Sequence, residues 1–229
     1  MNRVLAILLV PLLTTLVTQT STAWEMMQLE GYFQNSAVPP TNPNPTVVGL
    51  AGRGLVTALE YPLTGDFNAN EYTWSLSGVL PVSNLVSGTS TQTIYDVSSV
   101  PASLVIYEDP TQDARPTFYN CPADLAGNDP RYVNGAVYLK GRLTSFLSVY
   151  DLSSGTGFFS GFVLWDSGTH FVELERVHNS YWSFGGTTTS QFACIPSGDG
   201  YDQAMKGRFF LLTLGAKSST WGQLRRMYR

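Results

Sequence analysis

Between Gly135 and His178 the chain reads GAVYLKGRLTSFLSVYD, LSSGTG, FFSGFVLW, DSG and THFVELERVH. Three runs rich in Val, Phe, Tyr, Leu and Thr are parted by two short breaks of Ser, Gly and Asp. That pattern predicts a β-meander of three strands. No stretch before residue 215 sustains a helical period over ten residues once the N-terminal segment is set aside, so the expected class is all-β. The leading architecture is a single-domain antiparallel β-sandwich or jelly roll, with a barrel second. Within the meander, Val137, Leu139, Leu143, Phe162, Leu164, Val172 and Leu174 are the expected core contacts.

The flanking chain adds strands of the same kind. Residues 24–35 (WEMMQLEGYFQN), 55–61 (LVTALEY), 72–80 (YTWSLSGVL), 91–97 (TQTIYDV) and 103–108 (SLVIYE) are candidates. In the third of these Tyr72, Trp74 and Leu76 alternate with Thr73, Ser75 and Ser77, as a strand with one wet face requires. Residues 181–184, 191–195 and 208–214 complete a set of about ten strands. Two connections are distinctive. Residues 37–45 carry Pro39, Pro40, Pro43 and Pro45, which cannot donate ladder hydrogen bonds, so an extended loop is expected. Residues 108–130 hold four prolines and five acidic residues, and a loop of that length is usually functional or pinned. At the far end Thr220 and Gln223 match a capping box. Trp221, Leu224 and Tyr228 then share one helical face, and Arg225, Arg226 and Arg229 suit the negative end of the dipole. A short C-terminal helix near 220–228 is expected, docking through Trp221.

The N-terminus points to export. Met1-Asn2-Arg3 is followed by an apolar run from Val4 to Val17, and Ser21-Thr22-Ala23 offers small residues to a signal peptidase. The apolar run is short of the roughly 20 residues a spanning helix needs. Cleavage after Ala23 is expected, leaving residues 24–229 as one secreted, extracellular or periplasmic domain, with bacterial origin suggested only by the style of the leader. Without Arg3, 12 basic residues face 17 acidic ones, a balance of −5. Such mild acidity gives no footing for nucleic acid, and no second run is long enough to cross a membrane as a helix.

Cys121 and Cys194, both in the exported part, are expected to form one disulfide. The loop it closes is worth about 4 kcal/mol in the chain-entropy model.

The remaining polar chemistry is sparse. Glu173 and Glu175, two apart on an expected strand, would share a face about 6.6 Å apart, the sort of carboxylate pair that glycoside hydrolysis uses. Val172 and Leu174 compete for the core face, so both glutamates are expected in water. His170 and His178 would lie about 26 Å apart along such a strand, too far for one metal. Asp66-Phe67-Asn68-Ala69-Asn70 opens like an EF-hand loop, then departs at Glu71 and Ser77, so Asx-turns are the cheaper expectation. No cofactor is expected. A structural calcium would fall to Asp124, Asn128 and Asp129, or to Asp199 and Asp202 beside Cys194.

Tyr181, Trp182 and Phe184 stand beside Gly185-Gly186, read as a glycine-rich turn, and form the aromatic cluster best placed to line a ligand edge. The reading that follows is a non-enzymatic structural or interaction module of the cell surface. A carbohydrate-binding module using exposed aromatics comes next, with polysaccharide or a cell-surface protein as partner, and a glycosidase-type hydrolase last.

Overall fold

Nine strands and two short helical turns make up the structure, a computed structural model that describes residues 23–35, 50–88, 90–97, 102–114, 130–151, 153–175, 180–190 and 203–212. In chain order they are β1 (Ala23–Asn35), β2 (Leu50–Leu59), β3 (Glu71–Ser87), β4 (Ser90–Asp96), β5 (Ser103–Asp109), a 3-10 turn at Pro130–Tyr132, β6 (Ala136–Asp151), β7 (Thr156–Ser167), α1 (Phe171–Leu174), β8 (Tyr181–Thr189) and β9 (Gln203–Leu212). Trp24–Leu211 fold as one compact unit. Met1–Ala23 and Leu212–Arg229 group separately, and all but Ala23 and Leu212 of that group lies outside the described residues. The expected leader, the proline-rich loop at 37–45 and the C-terminal helix therefore fall there too. Among the described residues no helix is long and apolar enough to cross a membrane.

The sheet closes on itself. β1 pairs with β2, β2 with β3, and β6 through β9 follow in sequence, with β9 returning to β1. Between β3 and β6 one strand position is shared. β5 fills one half, where Ser103–Asp109 pair with Glu71–Ser77, and β4 fills the other, where Ser90–Asp96 pair with Leu80–Ser87. The result is a closed eight-stranded antiparallel barrel, which corrects the sandwich and jelly-roll expectation. The physical reason is that the last strand, β9, pairs with the first, β1, so the sheet has no free edge there and need not split into two layers. Alternation specifies that one face is buried, and both a sandwich and a barrel satisfy that. Register shifts at Gln28/Leu29, Pro81/Ser83 and Leu143/Ser145 supply the local bends a narrow barrel needs.

Large rings seated over glycines fill the interior. Trp74, 1% exposed, packs where Gly31, Gly52 and Gly54 have no side chains. A Cβ at Gly54 would collide with the Glu30 carbonyl, and one at Gly52 would come within 2.8 Å of the Trp74 ring. The Trp74 Nε1–H donates to that same Glu30 carbonyl at 3.0 Å. Phe159 lies likewise over Gly186 and Gly207, whose Cβ atoms would come within 2.7 and 2.9 Å of its ring. Phe33 meets Phe159 edge-on at 5.2 Å, and Phe184 stacks on Phe209 at 5.1 Å. Alternating small and large residues is how an eight-stranded barrel fills its narrow bore.

Over its described part, residues 169–175, the third run of the expected meander is not a strand. Gly168, at φ 121, turns the chain where a Cβ would collide with the Tyr138 carbonyl. The Thr169 and His170 amides then donate to the carbonyls of Val137 and Tyr138. Residues 171–174 coil into α1, which buries Leu174 at the barrel end and leaves Val172 61% exposed. Of the expected core contacts, Leu139, Leu143 and Leu174 are buried, while Val137 and Val172 are exposed and Phe162 and Leu164 are half-buried on the outer face. β7 is apolar on both faces, and its inward set is Phe159, Gly161, Val163 and Trp165.

Candidate functional site

Among the described residues the bore is packed. Its apolar cavity, bordered by Leu29, Phe33, Trp74, Phe146, Phe159 and Phe184, is about 20 Å³, room for about one water. Drug-sized ligands occupy pockets of about 300–1,000 Å³. Chemistry must be sought on the outer wall or at the ends.

One end is closed by a connected polar cluster. α1 and the loop between β2 and β3 meet there over β5 and β6. His170 stacks on the Tyr138 ring at 4.1 Å. Its Nδ1 lies 3.1 Å from Glu173 Oε1, and its Nε2 lies 3.6 Å from Glu108 Oε2. Glu173 also accepts from the Thr64 amide at 3.0 Å and the Thr64 hydroxyl at 2.8 Å. Glu108 Oε1 accepts from Tyr72 and Asn70, both at 2.8 Å. Tyr138 donates its hydroxyl to the Thr64 carbonyl at 2.7 Å.

The electrostatics follow from this packing. Burial, reinforced by Glu173, Tyr72 and Glu108, pushes the Tyr138 hydroxyl far above its ordinary pKa. Tyr72 is raised by burial and by its bond to Glu108. At Glu173 burial acts upward, but the Thr64 and His170 hydrogen bonds outweigh it and hold the carboxyl below its ordinary range. These bonds tie Thr64 and Asn70 of the β2–β3 loop to α1, β5 and β6, so the arrangement works as a clasp.

A second acidic group lies one register position away on the opposite face of β3 and β5. Glu71 and Asp109 are directly paired and both buried, with exposed Asp113 close by. Glu71 accepts the Ala114 amide at 2.7 Å, and Asp109 accepts the Thr111 amide and hydroxyl at 2.9 and 2.6 Å. The Thr73 hydroxyl donates to the Tyr132 carbonyl at 2.9 Å. Tyr32, Leu55, Ala114, Tyr132 and Ala204 form a small apolar cluster separate from the main core. The start and end of the long 108–130 connection are therefore pinned to the barrel by these carboxylates and this cluster.

The outer wall carries a groove of about 460 Å³ where the first and last strands meet, crossing β1, β9 and β8. Lys206 Nζ pairs with Glu30 at 2.8 Å and Arg208 with Glu25 at 3.1 Å, stitching β9 to β1. Gln28, Thr57 and Thr187 add neutral polar groups, Phe210 a half-buried ring, and Gly185 leaves bare backbone in the β8 portion.

The expected site residues divide by strand parity. Trp182 and Phe184 point into the bore, 0% and 7% exposed, while Tyr181 is 42% exposed and stacks on Phe162 at 5.3 Å with rings 5° from parallel. Gly185 and Gly186 belong to strand β8, not to a turn. Glu173 and Glu175 do not share a strand face, because α1 replaces that strand. Glu173 is held as described, and Glu175 is exposed. Asp66 forms the expected Asx-turn, its Oδ1 accepting the Asn68 amide at 2.9 Å. Cys121, Cys194, His178, Asp124, Asn128, Asp129, Asp199 and Asp202 lie outside the described residues. His170–Glu173 is the feature strand reasoning missed, and its signals were Gly168 as a breaker and the i, i+3 spacing.

Compared with family models, with curated proteins and with solved structures, the chain matches none.

Proposed function

We propose that residues 24–229 form an exported, non-enzymatic interaction module that meets its partner on the outer wall of the barrel. The observation that carries this reading is the packed bore: rings over glycines leave about 20 Å³, so the barrel serves as a rigid frame and not as a container. The outer wall suits water, since Lys140, Arg142, Lys206 and Arg208 are exposed along β6 and β9, whereas a lipid-facing barrel wall is apolar. The clasp around His170 supports the same reading, because both ring nitrogens face carboxylates and the cluster fastens loops.

Titration of the mature domain with apolar probes, a long-chain fatty acid and a naphthalene sulfonate dye, tests this. The expected result is no saturable binding to the native protein. One probe bound per barrel at micromolar affinity would overturn the outer-wall reading.

A further inference from the structure

The wall formed by β6, β7 and β8 is free of charge over most of its length. Residues 144–149, 156–164 and 181–189 contain no Asp, Glu, Lys, Arg or His. On β6, strand parity turns Phe146, Ser148 and Tyr150 into the bore and leaves Leu147 and Val149 outside. On β7 it turns Phe158, Ser160, Phe162 and Leu164 outward. Register sets Val149 beside Phe158 and Leu147 beside Ser160. Tyr181 of β8 covers Phe162, its ring 5.3 Å away and 5° from parallel. The outcome is a continuous apolar stripe on which Phe158 is 51% and Tyr181 42% exposed. Exposed apolar patches mark interaction faces, and rings without charge are the composition of an interface core.

We propose that this stripe is the two-fold interface of a homodimer, an inference that rests on the outer-wall reading above and names the partner as a second copy of the chain. The stripe is self-complementary. Phe158 and Phe162 stand on one strand face at equal distances either side of Ser160. A two-fold axis crossing the wall at Ser160, perpendicular to the strands, sets Phe158 of one copy against Phe162 of the other. The small, exposed Ser160 then meets its own image. The same axis passes Leu147, which pairs with Ser160, and so exchanges the two ends of β6. Arg142 at one end lies opposite Leu164, and Asp151 at the other lies opposite Thr156. The axis therefore brings Arg142 of each copy over Asp151 of the other, and the charges that border the stripe are complementary across it. Three strands with their side chains, about 20 Å wide and about 30 Å long, offer about 600 Å² on each copy. Two such faces bury about 1,200 Å², where specific interfaces begin.

The test is sedimentation velocity with light scattering on the mature wild type, Ser160→Lys and Ser160→Glu. A residue on the axis faces its own copy, so either substitution sets like charges together, whereas an equal mixture of the two sets lysine against glutamate. Ser160 is exposed, so both variants should keep the fold, which circular dichroism and melting verify. Phe158→Lys charges the same face should either fail to fold. The expected result is a wild-type dimer with Kd about 1–10 μM, weakened about tenfold or more in each variant alone and recovered in the mixture. A wild type that stays monomeric up to about 0.1 mM overturns the second copy as partner. Folded variants as dimeric as the wild type overturn this face as the interface. Variants that separate and do not recover on mixing overturn the axis at Ser160. A monomer that cosediments with phosphatidylcholine vesicles assigns the stripe to lipid and likewise overturns the dimer. Each of these failures leaves the outer-wall reading to stand or fall on the apolar-probe titration.

Discussion

Truncating Trp74 to alanine probes the barrel's construction most sharply. The side chain is 1% exposed, and three glycines surround it. Glycines carry no side chains that can collapse into the space left behind, so the cost should fall in the upper part of the range for large-to-small core changes, about 4–5 kcal/mol. For a domain of this size that lowers the melting temperature by about 8–20 °C. Trp74→Phe separates packing from hydrogen bonding. It keeps a ring but leaves the Glu30 carbonyl without its 3.0 Å donor, a loss of about 1–3 kcal/mol. The cavity in Trp74→Ala keeps the shape of the lost ring and leaves the Glu30 carbonyl facing it, so it should accept indole, whose N–H restores that bond and which at 100 times its dissociation constant returns about 2.7 kcal/mol. Urea unfolding with and without indole measures all three quantities. A loss below about 1 kcal/mol in Trp74→Ala, with no response to indole, would refute the ring-over-glycine packing.

The clasp and the seam yield further expectations. Because Glu173 titrates below its ordinary range, its contribution is present above the unfolded carboxyl value and is lost as pH falls toward the depressed folded one. The wild type should therefore lose stability between about pH 5 and about pH 3 more steeply than Glu173→Gln, and parallel urea midpoints would contradict this. Glu71→Ala strands the buried Ala114 amide, which should cost about 1–3 kcal/mol and speed exchange at Ala114; unchanged exchange would show that the carboxylate does not pin the loop. The Lys206–Glu30 and Arg208–Glu25 pairs have cations 69% and 59% exposed, so a double-mutant cycle across the two partners of each pair should give less than about 1 kcal/mol.

Strand existence was legible wherever period-2 alternation was strong. β1, β4 and β5 fall within one or two residues of expectation, and Tyr72, Trp74 and Leu76 all face the core. The first half of β2 was not legible, because Gly52 and Gly54 read as breakers and reveal their purpose only beside the Trp74 ring. Closure was hidden for a related reason: the pairing of β9 with β1 joins the two ends of the fold and leaves no local mark. THFVELERVH read as a strand from its β-branched residues, but Gly168 and backbone bonds to Val137 and Tyr138 turn its described part, residues 169–175, over the barrel end, a tertiary override of propensity. At the candidate site, sequence drew notice to residues 181–186 for their aromatics. Parity sends Trp182 and Phe184 inward and leaves only Tyr181 of the three outside, stacked on Phe162.

The most direct test of a filled barrel that binds on its outside is an amide and indole NMR map of the mature domain, titrated with the partner that it captures. The account predicts shifts at outward-facing residues such as Lys140, Arg142, Lys206 and Arg208, with the indole signals of the buried Trp74, Trp165 and Trp182 unmoved. Shifts concentrated on those three indoles would contradict it.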